Sequence, residues 1–303
     1  MNIGHKSNSS NDNVCVVVLA WNQVRDTLEC ISSILKSKEV SPQIILVDNG
    51  SIDNTSEIIN KYYGDYVKTI RSEVNLGVPR GYNLGLRYAF EAEHEHILIT
   101  NNDVIVDDHM ISHLIKFAKN TPNIGIVSPL ILNYFYPQQV WMIGAYWRSF
   151  PPTLKMIGYN QRLQSMHIKN PTELDFVPSC CYLLSKRLIS DIGYFDEGYF
   201  IYFDDWDYSI RARKAGYSIW VNPNAVAWHK VSLSTHKQNH SYKWWRKMGY
   251  SASRYYRKYH SKKEFILGIG WMAMREFLRL KPIEGTSFLL GVIDEAYDTK
   301  YRV

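Results

Sequence analysis

Apolar residues run unbroken from Val14 to Ala20, most of them β-branched, and a run without polar alternation predicts a strand covered on both faces. Directly afterwards Val24, Leu28, Ile31, Ile34 and Leu35 recur at spacings of three and four, which predicts an amphipathic helix lying on that sheet. Gln43 to Val47 repeats the strand signature and runs into Asp48-Asn49-Gly50-Ser51, a loop-forming cluster, before the helical stretch Thr55 to Tyr63. The same alternation continues with a strand at Tyr66 to Ile70, a helix at Tyr82 to Ala92, a strand at Ile97 to Thr100 and a helix at His109 to Lys119. Strand alternating with helix predicts an α/β fold, a mixed and mainly parallel sheet flanked by helices. From Trp141 the regularity fades. Asp175 to Ser185 reads as a strand entering a helix at Lys186 to Asp191, and Ser218 to Val221 and Ala225 to Trp228 read as short strands that deliver His229 at a strand end. The tail from Glu264 to Val303 is helical, with Phe265, Ile266, Ile269, Met272 and Phe277 as its apolar positions.

Composition adds boundaries. A chain of 303 residues with 46% hydrophobic content buries a large core. The polar stretch 1–13 reads as a flexible leader without a secretory pattern, 14–235 as the α/β domain, and 236–303 as a basic, aromatic, helical extension. The longest apolar runs, Val14 to Trp21 and Phe265 to Met274, fall short of the ~20 residues that cross a bilayer. Four cysteines without paired CxxC units fit a reducing cytoplasm. The net charge of +6 is unevenly placed: ten Lys or Arg and no acid lie between Lys230 and Lys263, interleaved with Tyr242, Trp244, Trp245, Tyr250, Tyr255, Tyr256 and Tyr259. Such a stretch could bind nucleic acid, an anionic membrane or a phosphorylated acceptor. Its Trp and Tyr content favours lipid headgroups and hence peripheral contact with the inner face of the cell membrane, with no nucleic acid expected.

In an open parallel sheet, ligands bind beyond the carboxyl ends of the strands. Those ends carry Ala20-Trp21-Asn22, Asp48-Asn49-Gly50 and Asn101-Asn102-Asp103. Asp48 can read a base edge or cap a loop, and Asp103 can ligate Mg²⁺ or Mn²⁺, which need only one or two protein oxygens beside a diphosphate. His229 is a compatible second ligand. Between Asn75 and Gly85, Gly77, Gly81 and Gly85 recur every four residues and allow close approach to a phosphate or sugar, with Arg80 as an anion donor. The segment is neither a GxGxxG fingerprint nor a P-loop. Asp204, Asp205 and Asp207 sit among Phe203, Trp206 and Tyr208, where unpaired charge is costly to bury; they form either a catalytic pocket or an acidic helix start.

Taken in order, these segments resemble the inverting family-two glycosyltransferases of the GT-A fold, in particular their rhamnosyltransferase-like branch. The resemblance rests on Val16-Val-Val-Leu-Ala-Trp-Asn, Val47-Asp-Asn-Gly-Ser-Ile-Asp-Asn-Thr, Asn75-Leu-Gly through Asn83-Leu-Gly, Asn101-Asn-Asp, Asp175-Phe-Val-Pro-Ser-Cys-Cys, Tyr202-Phe-Asp-Asp-Trp-Asp and Ala225-Val-Ala-Trp-His, over about residues 14 to 260. It implies metal-assisted transfer of a sugar from a UDP, dTDP or GDP donor to a hydroxyl of a glycan or lipid-linked acceptor in surface polysaccharide synthesis. It further implies Asp205 as general base with Asp204 beside it, Asp103 and His229 on Mn²⁺ or Mg²⁺, and a donor site of Ala20, Trp21, Asn22, Asp48, Asn49, Asn75, Gly77, Arg80, Asn83 and Asn102. Ser179, Cys180, Trp206 and Asp207 fall on the acceptor side. Three positions depart from the pattern: Asp204 for the usual Glu, Pro178-Ser179-Cys180 for Ser-Gly-Ala, and Trp21 for Tyr. The alternative function is a catalytically inactive nucleotide-sugar-binding module that supports a partner transferase.

Overall fold

The computed structural model describes residues 13–166, 168–231, 242–279 and 281–297. The expected leader, apart from residue 13, and the first residues of the expected extension, Lys237 among them, therefore lie outside the described residues. In chain order the elements are β1 (Val14–Ala20), α1 (Val24–Leu35), β2 (Gln43–Asn49), α2 (Thr55–Tyr63), β3 (Val67–Ser72), α3 (Val78–Glu91), β4 (His96–Asn101), β5 (Val104–Val106), α4 (Met110–Lys119) and β6 (Ile124–Asn133). They continue with β7 (Val140–Met142), β8 (Gly144–Ser149), β9 (Pro152–Ile157), β10 (Thr172–Leu174), β11 (Cys181–Ser185), α5 (Lys186–Ile192), α6 (Asp204–Lys214) and β12 (Ser218–His229). Three helices close the chain: α7 (Tyr242–Tyr259), α8 (Lys262–Leu278) and α9 (Pro282–Tyr297).

All seven residues of β1 are buried, as its apolar run requires, and it is flanked in parallel by β2 and β4. The sheet order is β10-β12-β6-β11-β4-β1-β2-β3. The strand that matters most for the site is β11. It runs antiparallel to β4 and pairs Cys181 with Thr100, so its beginning lies beside the carboxyl end of β4. One face of the sheet is covered by α3 and by Tyr208 and Ala212 of α6, the other by α1 and α4.

Three elements differ from the expected pattern for local reasons. The strand β6 was not expected, because Gly125, Ser128 and Pro129 interrupt its apolar run; Pro129 lies opposite Asn222, where the ladder with β12 breaks register. The two short strands expected around Pro223 are one strand, β12, whose irregularity between Asn222 and Val226 absorbs the proline. α3 starts at Val78, four residues before Tyr82, with Pro79 in the first turn, where the missing N–H costs nothing.

The extension docks on the domain. Trp245, Tyr255, Tyr256 and Phe288 share a buried cluster with Tyr199 and Phe203, at the entrance to α6. Beside it, Asp207 of α6 accepts hydrogen bonds from Arg211 Nε at 2.8 Å, Lys258 Nζ at 2.7 Å and the Tyr259 hydroxyl at 2.8 Å. Asp196 receives Arg254 and Lys258 at 3.0 and 2.8 Å. Arg246 and Arg257 of α7 pair with Asp294 and Glu295 of α9. Much of the basic, aromatic stretch is thus turned inward, its rings in a core and several of its cations on carboxylates. The sequence signal for it as a lipid-facing surface came from composition, which carries no direction.

Candidate active site

At the carboxyl ends of β1, β2 and β4 three loops are laced together by Asn22. Its N–H donates to Ser51 Oγ at 2.7 Å, its Oδ1 accepts from the Ile52 N–H at 2.9 Å, and its carbonyl accepts from Asn102 Nδ2 at 3.0 Å. Asn22 and Gln23 both take left-handed backbone (φ 59° and 62°), which asparagine tolerates better than most residues. Ala20 is buried at the strand end, while the Trp21 side chain is 38% exposed and offers a flat surface at the mouth. Asn102 Nδ2 also reaches Thr27 Oγ1 at 2.8 Å, so its amide holds the loop to α1.

Two expected donor contacts do not fit the geometry. Asp48 is fully buried; one carboxylate oxygen accepts the Ser51 N–H at 2.9 Å, the other accepts the Ser56 hydroxyl and lies 3.6 Å from Arg71. It shapes the loop, and with no side-chain exposure it presents no open face to a base. Asn83 is also fully buried, its amide exchanging bonds with the backbone of Phe195 at 3.0 Å in both directions and reaching Glu197. Asn49 ties Asn75, Leu76 and Gly77 together, through bonds of 3.3, 2.9 and 3.0 Å. Arg80 lies 3.9 Å from Glu197. Of the three spaced glycines, Gly81 and Gly85 face Leu19, Val17 and Val47 and let α3 sit close on the sheet. Gly77 (φ 84°) faces backbone, since a Cβ there would stand 2.5 Å from the Phe200 carbonyl oxygen.

Asp103 and His229, 126 residues apart, meet because β5 pairs with the end of β12, with Val104 opposite His229. Asp103 Oδ1 and His229 Nε2 are 3.2 Å apart, both side chains nearly buried, and Trp141 packs edge-on against the imidazole with ring centroids at 4.5 Å. Behind them Lys230 is buried and held by Asp26 at 2.7 Å and Glu29 at 2.6 Å. Two cis ligands of an octahedral ion with bonds of about 2.1 Å stand roughly 3 Å apart, so an oxygen and a nitrogen at this separation fit one edge of a Mg²⁺ or Mn²⁺ shell. Among the described residues no third His, Cys, Asp or Glu joins them. A diphosphate and water would have to complete such a shell.

The acids open α6. Tyr202 and Phe203 both take left-handed backbone (φ 63° and 62°), a strained choice for aromatic residues, and the surroundings enforce it. Trp244 Nε1 donates to the Tyr202 hydroxyl at 2.6 Å, and Phe203 is locked in the cluster with α7. The turn presents Asp204, 2% exposed, with Oδ2 lacking a hydrogen-bond partner among the described residues. Burial, then the neighbouring Asp205, push the Asp204 carboxyl well above its usual value. Asp205 is raised by burial to about 7, although the backbone N–H groups of Ser179 and Trp206, the latter at 3.0 Å, hold it down. Both carboxyls are thus raised, chiefly by burial, and so close together they titrate as a pair.

The expected acceptor-side residues divide. Ser179 touches Asp205 through its backbone. Cys180 is buried beside it, its carbonyl accepting from the Asn101 N–H at 2.9 Å, and its thiol is pushed up by burial and by the charges of Cys181, Asp103 and Asp205. Asp205 is hydrogen-bonded to the backbone of Ser179, the next residue's carbonyl is bonded to Asn101, and Asp103 with His229 follows two residues beyond Asn101, so the two pairs lie at the same strand ends. Trp206 lines a cavity of about 350 Å³ with Trp147, Phe176 and Tyr255, aromatic walls suited to a sugar ring. Asp207 does not belong with these residues: it is fully buried and bonded to α7, so it is a clip and not an acceptor contact. Tyr82 was missed. Its hydroxyl donates to Asn101 Oδ1 at 2.7 Å and lies 3.3 Å from the Ser179 carbonyl, bracing the strand ends. No spacing rule could have found it, because the contact joins α3 to two strand ends.

The family model described as glycosyl transferase family 2 matches residues 15–189. Among curated proteins, the chain is 24% identical over 223 residues to a poly-β-1,6-N-acetyl-D-glucosamine synthase of Staphylococcus epidermidis, covering 73% of this chain and 50% of that one. It therefore spans half the length of that relative. It is 27% identical over 231 residues to an N-acetylglucosaminyl-diphospho-decaprenol L-rhamnosyltransferase of Mycobacterium tuberculosis, covering 68% of this chain and 72% of that one. Among solved structures, a mannosyltransferase from Pyrobaculum calidifontis in complex with GDP-Man and Mn²⁺ superposes with a TM-score of 0.61 at 13% identity, over 96% of this chain and 89% of that one. GalNAc-T7 with UDP, GalNAc and Mn²⁺ superposes with a TM-score of 0.64 at 13% identity, over 97% and 58%. These likenesses show the GT-A type of fold.

Proposed function

The chain belongs to glycosyl transferase family 2, and from that premise we propose that it transfers a sugar from a nucleotide-diphosphate donor to a hydroxyl of a glycan or lipid-linked acceptor, with inversion at the anomeric carbon. The observation that carries this reading is that the paired Asp103 and His229 and the acids opening α6 meet at the same strand ends, joined through Asn101, Cys180 and Ser179. Asp205 accepts the proton of the attacking hydroxyl, and a carboxyl raised towards neutrality is a stronger base than an ordinary one while still ionised at working pH. A single base on the acceptor side fits one direct displacement. Asp204, buried beside it and raised in the same direction, disfavours a second negative charge next to that base. Asp103 and His229 would hold Mn²⁺ or Mg²⁺, which supplies charge stabilisation to the departing diphosphate. Trp21 at the mouth of β1 offers its face to the base, and the aromatic cavity at Trp206 takes the acceptor sugar.

The mannosyltransferase and GalNAc-T7 likenesses support a nucleotide sugar with a divalent ion, and the rhamnosyltransferase relative supports a diphospholipid acceptor. Contact with an anionic membrane moves, in this reading, from the basic stretch to the outer faces of α8 and α9. The deciding experiment is a thermal-shift screen of UDP, GDP, dTDP and their sugars with and without Mn²⁺, followed by NMR of the product anomer. A donor that raises the melting temperature only with metal, and a product of opposite anomeric configuration, are expected. Retained configuration, or no stabilisation by any nucleotide, would overturn the reading.

A further inference from the structure

A cavity of about 470 Å³ lies between the loop that opens α3, the segment 197–200 and the first turns of α7, outside the strand-end site. Four cations line it, Arg80, Lys243, Arg246 and Lys247, against two acids, Glu197 and Asp294. Arg246 is matched by Asp294 and Arg80 stands 3.9 Å from Glu197, whereas among the described residues no carboxylate lies within ion-pair distance of Lys243 or Lys247. These two lysines are one helical turn apart and repel each other; partial burial and Lys243 push the Lys247 ammonium below its usual value. Its Nζ lies 3.8 Å from the centroid of the Phe200 ring. The remaining wall is apolar or aromatic, with Leu76, Tyr242 and Tyr250.

We propose that this cavity binds a diphosphate carried on an apolar chain, Lys243 and Lys247 taking the phosphoryl oxygens and the Leu76, Phe200 and Tyr250 side taking the chain. The inference rests on the reading that the acceptor is lipid-linked. Two exposed like charges one turn apart repel each other, and an anion placed between them at the edge of an apolar wall relieves that repulsion. The position suits an acceptor's anchor. Phe200, which walls the cavity, is five residues from Asp205, a span of at most ~18 Å of chain, so an anchored diphosphate leaves room for a short saccharide to reach the base. Phe200 is also fixed to the donor side, its carbonyl accepting the Val78 N–H at 2.8 Å. Anchor, base and donor loop therefore share one short stretch of backbone.

The test is equilibrium binding followed by tryptophan fluorescence, using farnesyl diphosphate, inorganic pyrophosphate, farnesol and UDP as probes. No nucleotide sugar is present, so the result reads the cavity whether or not transfer occurs, and its failure is separable from failure of the catalytic reading. Farnesyl diphosphate is expected to bind about tenfold or more tightly than pyrophosphate or farnesol, and the doubly substituted Lys243→Ala/Lys247→Ala protein to lose about tenfold or more of that affinity. Lys243→Arg/Lys247→Arg should restore it, and the exposed single Lys243→Ala gives a partial loss if the double variant unfolds. Unchanged binding in the alanine variants would overturn the assignment, as would pyrophosphate binding as tightly as the farnesyl compound, which would mark a free phosphate site. Displacement of farnesyl diphosphate by UDP at equal concentration would also overturn it, by assigning the cavity to the donor.

Discussion

Asp204 and Asp205 are adjacent, the first buried and the second partly so, and each carboxyl is raised by burial, Asp204 further by the charge of Asp205. Burial raises both, and backbone N–H groups oppose it at each: those of Ser179 and Trp206 at Asp205, those of the helix start at Asp204, whose Oδ2 lacks a hydrogen-bond partner among the described residues. Asp205→Asn should therefore lower kcat by about 10²–10⁴ with donor affinity retained, whereas Asp204→Asn, which mimics a neutral acid, should keep most turnover; steady-state kinetics that reversed the two would exchange their roles. The same carboxyl sets a pH profile. Activity requires ionised Asp205, so kcat should rise with pH through about 7. Stability runs the other way: the folded carboxyl holds its proton more tightly than an ordinary one at 3.8, so its contribution is full below that pH and is lost as pH climbs towards 7. Urea titrations at pH 4 to 8 should show a smaller decline in Asp205→Asn, the remainder coming from Asp204, which is raised as well. At this scale the acids were legible from their aromatic neighbours. Asp48, Asn83 and Asp207 prove to be bonded within the fold, which their positions did not show, because a strand end or helix start fixes where a side chain begins and not which donors its oxygens meet.

At the scale of elements, the site depends on how closely α3 lies on β1 and β2 and on how firmly α7 holds α6. Gly85 makes the first contact possible: a Cβ there would stand 3.0 Å from Val47 Cγ2 and nearer still to Val17. Alanine gains up to about 1 kcal/mol of helix propensity, but overpacking at such a seam costs about 1–3 kcal/mol, so Gly85→Ala should be destabilising on balance in chemical denaturation. The second contact is Asp207, fully buried, against Arg211, Lys258 and Tyr259. Asp207→Asn leaves two cations facing a neutral amide. Because Lys258 is 36% exposed and Arg211 19%, the loss should fall below that of a fully buried pair, at about 2 kcal/mol, with kcat falling as the strained turn before Asp204 relaxes. Lys258→Met, which removes one cation but keeps the stem, should cost less. The order of strands and helices through α4 was legible because each element there is long and strongly periodic. β6 and the hairpin β8–β9 were not, since Gly, Pro and exposed positions break their pattern and only their partners across the sheet give them shape.

Over the whole molecule, four of the six cations of α7 are paired with carboxylates, and the last two helices each carry an exposed apolar face. On α9 Ile283, Leu290, Ile293 and Tyr297 are exposed and recur at steps of seven, three and four, one stripe along the helix, while Asp294 and Glu295 turn towards α7. On α8 Ile266, Met274 and Phe277 are exposed on one face, behind Lys262 and Lys263 at the helix start. No helix among the described residues is long and apolar enough to cross a membrane, so such faces can meet lipid only by lying on it. Apolar stripes led by lysines suit an anionic bilayer, where burial of the side chains supplies affinity and the lysines supply attraction that salt weakens. Ile293 and Leu290 carry the argument best, being exposed and remote from the acids of α6 in sequence and in packing. Leu290→Glu/Ile293→Glu should reduce co-sedimentation with phosphatidylglycerol vesicles by about tenfold while leaving the melting temperature within a few degrees, because neither side chain belongs to the buried cluster around Phe288. Binding that survives both substitutions but disappears in Lys243→Ala/Lys247→Ala would put the membrane contact back on α7.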